Sequence, residues 1–189
     1  MTLPNFITIA RIFMVPAIVW LLFAEAYQPA FFLFLLAGLS DALDGFVAKQ
    51  FNQRSELGAY LDPLADKVML VAIYVLLGIF DHLPNWLVIL VVSRDVAIVG
   101  AVMLAWLLDK PMKMEPNMLS KANTTMQILL VAMVLGGLAI GPVAHNLIQM
   151  ATVLTGFLTA ASLAVYLRDW LEHMANGGGD APPPAQGSR

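Results

Sequence analysis

The sequence predicts an all-α integral membrane protein with six transmembrane helices in a single domain. The first observation is composition: 60% of the 189 residues are hydrophobic, only 12% are charged, and the mean hydropathy is +0.79. A soluble domain of this length is closer to half apolar and a quarter charged. The second observation is a series of apolar runs of about 20 residues, the length that crosses a bilayer as a helix.

Six runs meet this length and are too long and too apolar for half-buried strands. The first run contains Arg11 and lacks a small-residue cleavage site, so we interpret it as a retained span rather than a signal peptide. The other five follow at regular intervals and are separated by short polar or Gly/Pro-containing segments. The predicted spans are roughly 6–24, 30–48, 59–80, 84–108, 120–140 and 145–168.

The charges of the connecting segments predict the orientation. The first, third and fifth connections, around "EAYQP", "DHLPN" and "GPVAHN", contain no Lys or Arg. The second holds Lys49 and Arg54, and the fourth is flanked by Lys110, Lys113 and Lys121. The positive-inside rule therefore places both termini and both basic connections in the cytoplasm.

The remaining composition limits domains and partners. Residues 1–170 form the transmembrane domain, and residues 171–189, which end in "NGGGDAPPPAQGSR", are predicted to be a disordered tail. A net charge of -3 does not indicate a nucleic-acid partner, and the absence of cysteine excludes disulfides and thiol chemistry.

Four aspartates interrupt the apolar pattern where the second predicted span ends and the third begins. Asp41 and Asp44 are separated by three residues, and Asp62 and Asp66 by four, so each pair lies on one helical face. An antiparallel hairpin of these spans would bring all four carboxylates together. Because each is unfavourable near the membrane and they repel one another, the cluster requires compensating cations.

Two sources of positive charge remain open at this point. Basic residues nearby, among them Lys49, Arg54 and Lys67, would neutralise the acids. Alternatively, an all-carboxylate cluster is suited to Mg²⁺ or Mn²⁺, and two such ions about 3.5–4 Å apart clamp a phosphoryl group. Gly45 and Gly58 favour the second interpretation, since a missing side chain lets a bulky ligand approach the helix.

These residues form one longer pattern, Asp41-x2-Asp44-Gly45-x2-Ala48-Lys49-x8-Gly58-x3-Asp62-x3-Asp66. The pattern resembles the signature of the CDP-alcohol phosphatidyltransferases over its four Asp, two Gly and one Ala. Lys49 departs from it, because the family usually has Arg there; the charge is kept and the planar fork is lost. The resemblance covers roughly residues 3–168.

The resemblance implies a polar cavity open to the cytoplasm, two divalent cations, usually a homodimer, and transfer from a CDP-linked lipid with release of CMP. By it, Asp41, Asp44, Asp62 and Asp66 are metal ligands, and Asp66 is also the candidate general base for the acceptor hydroxyl. The CDP-diacylglycerol contacts it implies are Gly45, Ala48, Lys49 and Gly58, with Asn5 and Thr8 at the entry to the first helix.

The acceptor site is predicted from two basic residues farther along the chain. Arg94 lies deep in the fourth span beside Asp95, and Lys121 begins the fifth. An intramembrane arginine that faces a cavity is a good phosphate ligand; the alternatives are an Arg94–Asp95 ion pair and a cytoplasmic anchor at Lys121. The segments "SRDV" and "SKANTTMQ" resemble the phosphatidylglycerol-accepting branch of the family more than the glycerol 3-phosphate-accepting branch.

Other classes are less consistent with the pattern. Intramembrane acids also mark cation transporters, but those usually place charge near the midplane and carry repeated broken helices. Here the acids cluster at one end of one hairpin.

We expect a bacterial inner membrane, because no Arg/Ser-rich transit segment precedes the first helix.

Overall fold

A computed structural model shows six α-helices and, in the part of the chain that it describes, no strand. It describes residues 3–51, 56–107 and 118–175, with side chains at 13–40, 67–101, 103, 104, 107 and 118–175. The helices are α1 Leu3–Phe23, α2 Tyr27–Phe51, α3 Glu56–Ile79, α4 Asn85–Leu107, α5 Met118–Ala139 and α6 His145–Ala175. The predicted all-α fold and number of helices are confirmed.

The helices are long enough to cross a membrane. They contain 21 to 31 residues, which at 1.5 Å per residue is about 31 to 46 Å. Within the described part, α5 and α6 meet the length and composition of a span, and the apolar stretches Phe13–Phe23, Tyr27–Ser40 and Lys67–Ile79 are shorter.

Short turns that contain no Lys or Arg connect the helices at one end of the bundle. Residues 24–26, 80–84 and 140–144 form the first, third and fifth connections. Glu25 and Asp81 adopt positive φ angles of 55° and 58°, which reverse the chain within a few residues. The side chain of Tyr27, the first residue of α2, hydrogen-bonds at 3.2 Å to that of His82 in the third connection, so the first and third connections lie at the same end of the bundle.

The bundle is built by pairwise packing along the chain. α1 lies against α2 and α3, α5 lies against α2, α3 and α6, and α4 lies between α3 and α6. The centre is filled by side chains with no exposed surface, among them Ile18, Leu22, Ile73, Leu77, Leu87 and Leu130. α2 and α3 therefore share two neighbours, α1 and α5.

The exterior of the bundle is apolar as well. Phe13, Trp20, Ile89 and Phe157 each expose between 65% and 71% of their surface. Water-soluble monomers rarely expose contiguous apolar patches of more than a few hundred Å². This surface is typical of a bundle that faces lipid.

The last helix is longer than the predicted span. α6 continues to Ala175, so residues 171–175 of the predicted tail are helical, and residues 176–189 lie outside the described residues. The apolar run ends at Arg168, but charged residues do not end a helix, and Arg168 Nε lies 3.6 Å from Glu172 Oε1 one turn later.

Candidate functional site

The four aspartates lie on helical backbone. Asp41 and Asp44 belong to the second half of α2, and Asp62 and Asp66 to the first half of α3. Helical geometry therefore holds for both spacings, and each pair lies on one face of its helix. Their side chains lie outside those that the structure describes.

The chemistry of this donor set fits hard divalent cations. All four groups are carboxylates, which supply the oxygen ligands that Mg²⁺ and Mn²⁺ prefer. Among the described side chains no group of three or more His, Asp or Glu is arranged to hold a metal ion. The acidic segments of α2 and α3 lie outside those side chains and stay the candidate metal-binding part of the chain on their carboxylate chemistry.

The candidate nucleotide residues are also on helices. Asn5 and Thr8 lie in the first turns of α1, while Gly45, Ala48 and Lys49 follow Asp44 in α2, and Gly58 precedes Asp62 in α3. Their side chains are likewise outside the described set, so these contacts remain predictions.

Arg94 lies at the centre of a buried polar cluster. Only 2% of its surface is exposed. One terminal nitrogen donates to Asp95 Oδ1 at 2.6 Å, and the other donates to Ser120 Oγ at 2.6 Å and to Ser162 Oγ at 3.1 Å. The Arg94–Asp95 ion pair expected as one alternative is thus present, and it is joined by hydroxyls from α5 and α6.

Lys67 is the fifth member of this group, which we call the arginine cluster: Lys67, Arg94, Asp95, Ser120 and Ser162. Its Nζ lies 3.2 Å from the same Oδ1 of Asp95, and 37% of its side chain is exposed. The cluster contains two cations and one carboxylate, so it carries a net positive charge.

Lys121 lies at the edge of the cluster. It follows Ser120 at the start of α5, and its side chain is exposed. The structure therefore brings the beginning of α5 to Arg94 and gives the two cations different surroundings: Arg94 is enclosed and Lys121 is exposed. Their assignment to the acceptor stays a prediction.

A second polar layer lies one helical turn from the cluster. Thr159 Oγ1 donates to Asn123 Oδ1 at 2.8 Å, and Gln127 Nε2 approaches Thr159 Oγ1 at 3.5 Å. Tyr74 Oη donates to the Gln127 carbonyl at 3.2 Å. All four residues are buried, and buried polar groups that are paired fix the relative position of the helices that carry them.

Two donors in these layers have no hydrogen-bond partner. They are Arg94 Nε and Asn123 Nδ2, both buried. Arg94 is bonded to Ser120 and Ser162, and Asn123 and Thr159 lie three residues from those serines, so the unpaired donors belong to adjacent layers.

Sequence reasoning did not include Ser162 or Thr159. A signal for them exists, because Thr152, Thr155, Thr159 and Ser162 recur at intervals of three and four in an otherwise apolar helix. This spacing places them on one face, and all four are buried.

Fold and site together define a class: a bundle of long helices with an apolar exterior, an acidic helix pair and a net-positive polar cluster inside. The chain belongs to the CDP-alcohol phosphatidyltransferase family, whose model matches residues 1–165. The resemblance inferred from the signature is confirmed.

The similar proteins include cardiolipin synthases and glycerol-3-phosphate 3-phosphatidyltransferases. The chain is 35% identical over 181 residues to human cardiolipin synthase (CMP-forming), covering 87% of this chain and 60% of the human protein. It is 32% identical over 176 residues to the CDP-diacylglycerol–glycerol-3-phosphate 3-phosphatidyltransferase of Bacillus subtilis, covering 85% of this chain and 90% of that protein. A chloroplastic enzyme of the latter name from rice is 38% identical over 149 residues, covering 70% of this chain and 45% of the rice protein. The chain thus spans about 60% of the length of the human and rat relatives.

Proposed function

We propose that this protein is a cardiolipin synthase, which transfers the phosphatidyl group of CDP-diacylglycerol to a glycerol hydroxyl of phosphatidylglycerol and releases CMP. The observation that carries the proposal is the acidic signature from Asp41 to Asp66, on two consecutive helices of a chain that belongs to this family. The cardiolipin synthase names of the human and rat relatives support the choice of acceptor.

The proposal includes a membrane setting. All six helices cross the bilayer, with both termini and a polar cavity on the cytoplasmic side, in a bacterial inner membrane, and the protein is a homodimer. The lengths of the helices, the apolar exterior and the absence of Lys and Arg from residues 24–26, 80–84 and 140–144 support the six spans and their orientation. The alignment over 90% of a Bacillus subtilis protein supports a bacterial setting.

Asp41, Asp44, Asp62 and Asp66 would hold two divalent cations, Mg²⁺ or Mn²⁺. When bound, such ions supply Lewis-acid polarisation of phosphoryl oxygens. The contribution of the chain is to keep four oxygen donors on two helices that share the neighbours α1 and α5. The transfer then needs a proton acceptor and two substrate sites.

Asp66 is proposed as the general base. The acceptor hydroxyl oxygen bonds to the β-phosphorus of CDP-diacylglycerol, the bond from that phosphorus to the bridging oxygen breaks, and CMP leaves with the bonding electrons. The hydroxyl proton passes to the Asp66 carboxylate. A positioned carboxylate typically contributes about 10²–10⁴-fold to such a step.

The CDP-diacylglycerol site is proposed at the cytoplasmic ends of the first three helices. Gly45 and Gly58 lack side chains and so leave room for the nucleotide beside the helix backbone. The side chain of Ala48 is a single methyl group and likewise leaves room for it. Lys49 supplies a point charge for a phosphate. Asn5 and Thr8 in α1 complete the proposed set of CDP-diacylglycerol contacts. The set is Asn5, Thr8, Gly45, Ala48, Lys49 and Gly58.

The acceptor's phosphate is proposed to meet Arg94 and Lys121. The net-positive arginine cluster and the unpaired Arg94 Nε support this assignment. Lys121 is the more accessible cation, and Arg94 contributes through the field of the cluster and its remaining donor.

The deciding experiment uses purified protein, CDP-diacylglycerol and either phosphatidylglycerol or glycerol 3-phosphate, with CMP and lipid products identified. We expect CMP and cardiolipin from phosphatidylglycerol, loss of turnover in EDTA, and recovery on adding Mg²⁺ or Mn²⁺. Absence of CMP release with either acceptor would contradict the family activity for this chain. Full turnover in EDTA would contradict the role of the aspartates in metal binding.

A second candidate is phosphatidylglycerophosphate synthase, which uses glycerol 3-phosphate. The Bacillus subtilis and rice relatives favour it. Both acceptors carry a glycerol hydroxyl and a phosphate, so Asp66, Arg94 and Lys121 would serve either. Formation of phosphatidylglycerophosphate, with no cardiolipin from phosphatidylglycerol, would select this candidate.

A further inference from the structure

The Asp95 carboxylate on α4 contacts two cations, Arg94 on the same helix and Lys67 on α3, and so connects α3 to α4. Asp95 Oδ1 lies 2.6 Å from an Arg94 terminal nitrogen and 3.2 Å from Lys67 Nζ. Arg94 extends the contact to Ser120 on α5 and Ser162 on α6. The Lys67–Asp95 bridge therefore attaches α3 to a junction that already joins α4, α5 and α6.

The two sides of this junction differ in rigidity. Arg94, Asp95 and Ser162 are all buried, and the Asn123–Thr159 hydrogen bond joins α5 and α6 one turn away. A buried, paired network of this kind holds its helices in one arrangement. Lys67 is half-buried, and among the described side chains its contact with Asp95 is the polar contact of α3 that lies nearest to Asp66. The next one, from Tyr74 Oη to the Gln127 carbonyl, lies two turns farther along α3.

Lys67 directly follows Asp66, the proposed general base. A helix advances 1.5 Å and turns 100° per residue, so fixing the side chain at one position fixes the rotation and axial height of the adjacent turn. Asp62 and Asp66 lie on that turn and share one face. A contact at Lys67 thus acts on the orientation of both carboxylates.

We propose that Lys67 and Asp95 are positioning residues that hold the acidic turn of α3 against α4. The proposal rests on the proposed function, since it concerns the alignment of Asp66 with the acceptor hydroxyl. In this proposal neither Lys67 nor Asp95 touches the reacting atoms. A misplacement of about 1 Å at a reacting group is enough to lower a rate by about a hundredfold, so a single distant contact has a measurable effect.

The test compares Lys67→Met with wild type and with Lys67→Arg. Lys67→Met leaves Asp95 paired with buried Arg94, so the fold is retained, and a thermal-unfolding curve checks this. We expect kcat for CMP release to fall about tenfold with KM for both lipids within about twofold of wild type. Lys67→Arg keeps the ion pair and is expected to restore kcat to within about threefold.

Arg168→Met is the matched control. It removes an exposed ion pair with Asp169 and Glu172 at the far end of α6, and exposed pairs contribute little to stability. We expect wild-type kinetics. A loss of kcat in this control equal to that in Lys67→Met would mean that any lost surface cation has the effect, which would overturn the proposal.

Further outcomes separate positioning from substrate binding. Wild-type kcat in folded Lys67→Met would overturn the proposal, and so would a raised acceptor KM at unchanged kcat, because that pattern belongs to a phosphate contact. If Lys67→Arg is as slow as Lys67→Met, the loss of kcat does not come from the ion pair, and the proposal is overturned. The Lys67→Met/Asp95→Asn double variant should be no slower than the slower of its parents, since both remove one bridge.

An activity-independent measurement keeps this inference distinct from the proposed function. The chain contains no cysteine, so spin labels can be attached at Glu56→Cys in α3 and Met118→Cys in α5 alone. We expect a wider inter-label distance distribution in Lys67→Met and no change in Arg168→Met. An unchanged distribution in Lys67→Met would refute the positioning role even in a protein that releases CMP, whereas a wild type without CMP release would refute the proposed function alone.

Discussion

At the scale of single residues, the aspartates differ in what their loss should remove. Asp66→Asn keeps the size of the side chain and removes the base, so we expect very low turnover with substantial CDP-diacylglycerol binding retained. Asp41→Ala removes a proposed metal ligand, and metal and nucleotide binding should be lost together. Equilibrium binding and single-turnover CMP release separate the two steps.

Near-normal turnover in Asp66→Asn would exclude the carboxylate as base. Equal loss of nucleotide binding in both variants would instead assign Asp66 to the metals alone. Asp81→Asn, in the turn between α3 and α4, is a suitable control for removing an acid elsewhere.

Lys121 offers the cleanest test of the acceptor site. It is exposed, so Lys121→Gln should leave the fold intact. A charge-assisted hydrogen bond contributes roughly 1.5–3 kcal/mol, and we therefore expect kcat/KM for phosphatidylglycerol to fall about ten- to hundredfold while CDP-diacylglycerol binding is unchanged. The measurement is acceptor titration at saturating CDP-diacylglycerol.

Arg94→Gln should combine that acceptor loss with lower stability. Ser120 and Ser162 lose their donor, and among the described side chains Lys67 is the partner that buried Asp95 keeps. Normal acceptor kinetics in folded variants of both Lys121 and Arg94 would show that these residues are structural and that the acceptor binds elsewhere.

At the scale of helices, α3 and α4 approach closely at Gly78. A Cβ placed there would lie 2.8 Å from Val88 Cγ2, and valine is stiff at χ1, so the methyl cannot turn away freely. We expect Gly78→Ala to destabilise the bundle by about 1–3 kcal/mol, as measured by thermal or denaturant unfolding in detergent.

Gly100→Ala is the matched control, because nothing lies within 4 Å of the corresponding Cβ position. It should be neutral or slightly stabilising, since alanine favours a helix by about 1 kcal/mol over glycine. In Gly78→Ala/Val88→Ala the close contact is relieved and part of the loss should return. Equal stability of the two single variants would mean that α3 and α4 separate without penalty.

The helices themselves were predictable, because apolar runs of this length leave few alternatives. The α4 prediction, 84–108, differs from Asn85–Leu107 by one residue at each end. α2 and α3 extend beyond the predicted spans at their acidic ends, where helix continues after the apolar run stops. α6 outlasts its prediction for the same reason.

The members of the arginine cluster around Arg94 were predictable only in part. Its neighbour Asp95 follows from adjacency in the sequence, and the ion pair was expected as an alternative. Ser162 lies on the Thr/Ser face of α6, which the spacing in the sequence does indicate. Lys67 is brought in by the rotation and pairing of helices that are apolar around most of their circumference, from which a facing side is hard to infer. The site on α2 and α3 was inferred from spacing and remains a prediction.

At the scale of the whole molecule, the proposed orientation has a direct test. Single cysteines at His82 and Leu171 can be labelled without background, because the chain contains none. An impermeant maleimide should label His82→Cys from the periplasmic side of intact cells and Leu171→Cys only after permeabilisation, since the basic connections are predicted to be cytoplasmic. The opposite pattern would invert the topology, and labelling of both from outside would exclude the odd number of spans, α4, α5 and α6, that is proposed between them.

The length of α6 relates the thickness of the bilayer to the depth at which the arginine cluster lies in it. From His145 to Leu167 the helix is 23 residues, or about 34 Å, slightly longer than an average hydrocarbon core of about 30 Å. The charged turn from Arg168 to Glu172 favours the headgroup region. Ser162, which holds Arg94, lies six residues from that turn, about 9 Å along the axis. In the proposed orientation, a thinner membrane would increase the tilt of α6 and raise Ser162 toward the headgroups, whereas a thicker one would immerse it. With the acceptor site proposed at the arginine cluster, lipid chain length would then determine how far an acceptor headgroup must descend to reach it.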